Sequence, residues 1–318
     1  MDKNIDFAFE GFRVIRHRPV LILYWGVVSV ILSCAVQWVM VSMFGPIMDQ
    51  MMTGGAGGAT TMSPAEATQQ LTLLAKLLPF YGLLLIGSVI YYAIMNCAVY
   101  RAVLGSKKSA FGFLRLGADE LRQVAVMVLF FLLLVVIYIA LMIVVSILGG
   151  ILIAVISGGG SSAAVMAVTV AVIMLLVLCP LVWFCVRMSL YTVHTFATGK
   201  IDLFGSWKLT KNRFWILFAG YLVTLVMCFL VMALFWAIFA GVAAVLGMNG
   251  VGLFGQMMGV GAKPSYAALY SNPLMIGYTV SSAFFLSPLL IGLIGGAPAA
   301  AYHRIAGQTT RISAENVF

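Results

Sequence analysis

The sequence predicts an all-α polytopic membrane protein. Six transmembrane helices form three pseudo-repeated hairpins, each preceded by an interfacial amphipathic helix on the cytoplasmic side. The first observation behind this is a set of six apolar runs, at 19–44, 77–99, 123–148, 165–190, 214–247 and 274–301, none of which contains Asp, Glu or Lys. Each exceeds the roughly 20 residues needed to cross a ~30 Å hydrocarbon layer. The second is an alternation of basic and neutral loops, and the third is a pattern of landmarks recurring in register.

At 63% hydrophobic and 8% charged residues, with mean hydropathy +1.12, the chain lies outside the range of soluble domains. Of its 18 Lys and Arg, all but Lys76 and Lys263 fall before the first run, between the second and third, around the loop between the fourth and fifth, or after the sixth. That asymmetry puts both termini in the cytoplasm. A net charge of +9 would point to nucleic acid in a soluble chain. Here the charge faces the anionic headgroups of membrane phospholipids, and no nucleic-acid partner is expected. The first run is longer than the apolar core of a signal peptide, so no cleavable leader is expected.

The whole chain, 1–318, reads as one membrane domain with repeats at about 5–105, 109–199 and 201–307. Before the odd-numbered spans stands an aromatic, two residues, a bulky apolar residue and a base: Phe9-x-x-Phe12-Arg13, Phe111-x-x-Leu114-Arg115 and Phe204-x-x-Trp207-Lys208. After the even-numbered spans a ring precedes a glycine by five residues, as Tyr100 with Gly105, His194 with Gly199, and Tyr302 with Gly307. Such registered self-similarity predicts three repeats.

In the first repeat, helical periodicity puts Ile5, Ala8, Phe9 and Phe12 on an apolar face, with Asp6, Glu10, Arg13 and His17 opposite. The matching stripes are Phe111, Leu114, Ala118 and Leu121, then Leu203, Phe204, Trp207 and Phe214. Helices of this kind lie in the headgroup plane, with bases reaching phosphates. Outward loops are expected at 45–76, 157–164 and 248–273. Within the first, Ser63-Pro64-x-Glu66 is a capping box that starts a helix running into the second span. Spans three and five continue as apolar sequence to about 156 and 248. Such helices must tilt, kink near Gly149-Gly150, or protrude.

Several residues are candidates for function. Arg187 lies about two turns inside the membrane edge that His194 marks. It either snorkels to the phosphates or pairs with a lipid phosphate or a polar group such as Asn96. With Lys208, Arg213 and Trp207 it forms a candidate lipid-headgroup site, with Arg115 and Arg13 as counterparts in the other repeats. Pro180 and Pro288 each remove an intrahelical hydrogen bond and are hinge candidates. Gly292-x-x-x-Gly296 predicts close approach of another backbone within the chain. The five cysteines lie inside spans without metal spacing and read as packing residues. The outward methionines resemble Cu(I) ligands, but no His or Cys joins them, and no metal or cofactor is expected. Asp119 and Glu120 are adjacent and so point to different sides of a helix. No nucleophile or metalloprotease motif is present in the sequence. An interfacial enzyme using His194 or His303 is the least favoured class, and a non-enzyme is expected.

The stretch Arg187-x-Ser189-Leu190, through Gly199, to Ser206-Trp207-Lys208-Leu209-Thr210-Lys211-x-Arg213-Phe214-Trp215 resembles the six-helix membrane domain fused to some bacterial glycerophosphodiester phosphodiesterases and its stand-alone relatives. The resemblance is specific over these residues, with a weaker echo from Arg101 to Arg122. It implies a bacterial inner-membrane protein with a lipid-facing role, and it does not imply phosphodiesterase activity. The sequence thus leads to a non-catalytic protein that binds lipid or scaffolds envelope components, with a membrane-protein partner or a second copy as the scaffolded species. The alternative is a transporter or flippase-like permease for a neutral or amphipathic substrate.

Overall fold

The computed structural model describes residues 6–54, 64–104, 110–157, 163–249 and 265–315, with the single positions 252 and 255. Among these residues there is no strand, and six helices are long and apolar enough to cross a membrane: Val20–Gln50, Ala67–Leu104, Phe111–Ile147, Val168–Thr198, Phe214–Val245 and Pro273–Gly307. The chain is therefore a multi-pass membrane protein, and each expected span corresponds to one of these.

The helices are α1 (Glu10–His17), α2 (Val20–Val39), α3 (Gly45–Gly54), α4 (Pro64–Leu104), α5 (Ala118–Ser157) and α6 (Ala163–Met188). They continue as α7 (Tyr191–Thr198), α8 (Gly205–Leu209), α9 (Phe214–Val245), α10 (Tyr266–Ser271), α11 (Pro273–Ser281) and α12 (Ser287–Glu315). Two π-helical turns interrupt them, Met40–Phe44 between α2 and α3 and Ser282–Leu286 between α11 and α12. Each ends two residues before a proline, Pro46 or Pro288. A proline has no N–H to donate and its ring crowds the preceding turn. A wider π-turn accommodates it without ending the helix.

That device corrects one expectation. The first outward loop was expected from residue 45, but the helix continues through Gly54. Residues 55–63 of that loop, with the cap Ser63, and residues 158–162, 250–251, 253–254 and 256–264 of the two later loops lie outside the described residues. The second helix does start at Pro64 and runs unbroken into its span. α5 passes straight through Gly149-Gly150 and covers 40 residues, about 60 Å at 1.5 Å each.

Two compact units form. Unit 1 comprises Met1–Phe7, Arg115–Leu222 and Ala297–Phe318; unit 2 comprises Ala8–Leu114 and Val223–Gly296.

The expected interfacial helices differ from one another. Only the first is a helix of two turns, α1, and it packs within unit 2 through its small residues, leaving the expected aromatic face exposed. Ala8, Gly11 and Ile15 are buried while Phe9 and Phe12 are 44% and 46% exposed. The reason is backbone contact in unit 2: a Cβ on Gly11 would collide with the Gly292 carbonyl and lie 2.8 Å from Leu293 Cα. Gly296 is equally close, since a Cβ there would meet the Gly11 backbone. The glycine pair of the last helix therefore receives α1, within one chain.

In the second repeat the expected helix is a single turn, Ala110–Phe113, with Phe111 at φ 47°, Gly112 at φ 64° and Phe113 at φ 64°. Left-handed conformations cost a non-glycine residue about 1–2 kcal/mol. Tertiary bonds hold this one: Trp25 Nε1 donates to the Gly112 carbonyl at 2.9 Å and Arg101 Nη1 to the Phe113 carbonyl at 3.1 Å. In the third repeat the helix is the five-residue α8, and left-handed Asn212 (φ 62°) separates it from α9.

Candidate functional site

Arg187 occupies the last turn of α6 in unit 1. Its guanidinium carbon lies 4.6 Å from the centroid of Trp207 on α8 and 6.0 Å from that of Trp183, one turn back on its own helix. The two indoles meet edge to face, 5.2 Å apart at 88°. Cation–π contacts of this kind contribute about 0.5–2 kcal/mol, more when water is excluded. They use the face of the guanidinium and leave its N–H edge for another acceptor. Arg187 Nε is buried and has no hydrogen-bond partner among the described residues.

The backbone around Arg187 is held as firmly. α6 ends at Met188, leaving its last carbonyls without helical donors. Ser206 Oγ donates to the Arg187 carbonyl at 3.0 Å and Thr210 Oγ1 donates to it at 2.9 Å. Ser206 Oγ also accepts from the Leu190 N–H at 3.1 Å, where the chain steps from α6 into α7. Ser206 in α8 and Thr210, the residue that caps its C-terminus, are one turn apart, so this short turn clamps the end of α6. The same turn presents Trp207 to Arg187.

Below this clamp, Phe130 of α5 stacks on Tyr191 at 4.2 Å, and Ser189 shares a 2.8 Å hydroxyl contact with Tyr221. Toward the other end of α7, Gly199 takes the left-handed conformation (φ 66°) that closes the helix. His194 Nε2 lies 3.6 Å from Asp202 Oδ2, and Asp202 Oδ1 accepts the Gly205 N–H at 2.9 Å. The pair thus fixes the start of α8.

The other candidates fall as follows. Lys208 is exposed, and Arg213 is half-buried just before α9. Arg115 is exposed ahead of α5. Arg13, in unit 2, pairs with Glu10 at 3.0 Å, so part of its charge is already met. Asn96 belongs to unit 2, where it packs beside Gly295. Pro180 lies inside the continuous α6, whereas Pro288 sits at the π-turn junction. Of the expected group, then, Arg187 and Trp207 come together. Trp183, Ser206 and Thr210 complete the site without having been anticipated. Two sequence signals could have found them: a Trp four residues before an Arg on one helix, and a Ser and Thr four apart flanking the Trp.

Unit 2 holds a second feature, a groove of about 530 Å³ between α2 on one wall and α11, the second π-turn and the start of α12 on the other. Gln37 Nε2 donates to the Tyr270 carbonyl, and Thr279 Oγ1 donates to Gln37 Oε1 at 3.4 Å. Further along, Tyr91 OH lies 2.6 Å from Ser29 Oγ and 3.2 Å from Ser287 Oγ. Burial, then the neighbouring Tyr266, raise the pKa of the Tyr270 phenol above its ordinary value.

Comparison of the chain with family models, curated proteins and solved structures finds no match.

Proposed function

We propose that the chain is a non-catalytic integral protein of a bacterial inner membrane, built from three hairpins with both termini cytoplasmic, and that it binds anionic phospholipid at Arg187. The observation that carries this reading is the Arg187 guanidinium on the Trp207 face, with its Nε buried and unpartnered. A cation at membrane depth is costly without an acceptor. A phosphate oxygen pair matches the terminal nitrogens of the planar fork, Nε itself being covered by the protein. Lys208, next to Trp207 and exposed, adds a second charge for the same headgroup. The basic asymmetry of the loops supports the cytoplasmic termini. The resemblance to the phosphodiesterase-linked membrane domain supports a lipid-facing role in bacteria.

The test is the amount of phosphatidylglycerol retained by purified protein after detergent exchange. Wild type should retain about one tightly held molecule more than Arg187→Ala or Trp207→Ala at matched folding. Equal retention would remove the reading. The second reading, a permease for a neutral or amphipathic substrate, is supported by the groove of unit 2 and the two π-turns beside it, because broken helices at membrane depth line cavities in transporters.

A further inference from the structure

We infer that the groove of unit 2 binds a single-chain, uncharged amphiphile with a hydroxyl or amide head, a ligand of opposite preference to the Arg187 site. The π-turn and one tight backbone contact shape the wall of the groove opposite α2. Pro288 has no N–H for the Phe284 carbonyl, and the π-turn Ser282–Leu286 bulges the helix there. α2 approaches that carbonyl through Gly26, where a Cβ would lie 2.5 Å from the oxygen.

Charge selects the ligand. Among the described residues, none of those lining the groove is Asp, Glu, Lys, Arg or His. A phosphate or ammonium at this depth would be uncompensated, which is the costliest burial a membrane protein faces. The polar groups present are neutral and most lie toward one end: Gln37 and Ser33 of α2, Thr279, Ser282 and Tyr270, with Ser287 further along. The other end is lined by Leu286, Leu290, Ile291 and Ile294. A molecule matching this gradient has a small hydrogen-bonding head and one aliphatic tail. From Thr279 to Ile294 the helix rises about 22 Å, longer than half of a ~30 Å hydrocarbon layer. The volume of about 530 Å³ lies within the range of small-ligand sites.

The experiment uses full-length protein in nanodiscs and two photoreactive probes sharing one diazirine-bearing acyl chain. The first is a monoacylglycerol, with an uncharged head. The second is the corresponding lysophosphatidylglycerol, with an anionic head. The monoacylglycerol should label residues 32–40 and 279–294 saturably, at least about tenfold more than the anionic probe. Ser33→Phe and Leu290→Trp, which narrow the groove from opposite walls, should each cut that labelling at least about tenfold. Arg187→Ala should leave it unchanged, so this inference and the Arg187 reading fail separately. Equal labelling by both probes, labelling only elsewhere, or undiminished labelling in either folded variant would overturn the assignment.

Discussion

The guanidinium of Arg187 stacks on the indole of Trp207 at 4.6 Å, although the two are 20 residues apart and on different helices. Two hydroxyls make the arrangement firm. Ser206, next to Trp207 in α8, and Thr210, which caps that helix, both donate to the carbonyl of Arg187 itself. Side-chain stacking and backbone capping therefore involve the same two segments. The orientation of the fork follows from the fold rather than from the ligand, as a preorganised site requires.

The clamp should be cooperative. Ser206→Ala orphans the buried Leu190 N–H and removes one bond to the Arg187 carbonyl, a loss of about 1–3 kcal/mol. Thr210→Val keeps its shape and leaves that carbonyl its serine donor, so it should cost less. The double variant strips the carbonyl of both hydroxyls and should lose more than the sum of the singles. Thermal unfolding of the purified variants checks the ordering, and simple additivity would mean the two hydroxyls act independently.

Gly11→Ala should be strongly destabilising although alanine favours helix. The gain in propensity is about 1 kcal/mol. The added Cβ, however, meets the backbone of Gly292, which cannot rotate away. Overpacking of this kind costs about 1–3 kcal/mol, and more against rigid backbone. Gly82→Ala in α4, with nothing within 4 Å, should be neutral or stabilising. Melting temperatures of the two variants should move in opposite directions or differ by several degrees.

How much of this was legible follows from which interactions are local. The six spans depend on hydropathy summed over a window, so all were readable. Their outer ends were not, because helix continuation past Gly45-Pro46 depends on the π-turn at Met40–Phe44. The aromatic-base pattern repeats three times, yet Phe111-Gly112-Phe113 turns left-handed because Trp25 and Arg101 bond its carbonyls. The Gly292-x-x-x-Gly296 motif announced a close backbone. Its partner Gly11 lies across most of the chain, so no local pattern could name it. Likewise Arg187 and Trp207 stood out singly, while Ser206 and Thr210, on the polar side of an expected surface helix, had no partner that local sequence could name.

Topology can be read with impermeant thiol labelling in a variant lacking Cys34, Cys97, Cys179, Cys185 and Cys228. Asn249→Cys should react from outside intact cells, whereas Arg115→Cys and Lys200→Cys should react only after permeabilisation. The reverse pattern would invert the orientation drawn from the basic loops and move Arg187 to the outer leaflet.

The most direct measurement of the central claim is native mass spectrometry of bound phosphatidylglycerol in wild type, Arg187→Lys and Arg187→Ala. Lysine keeps the charge and the long stem but lacks the planar fork and its stacking on Trp207. The account predicts that wild type holds one phosphatidylglycerol to higher collision energy than either variant, with lysine rescuing little of the difference. Lysine equal to wild type would show that a bare positive charge is enough, and equal retention in all three would contradict a headgroup site at Arg187.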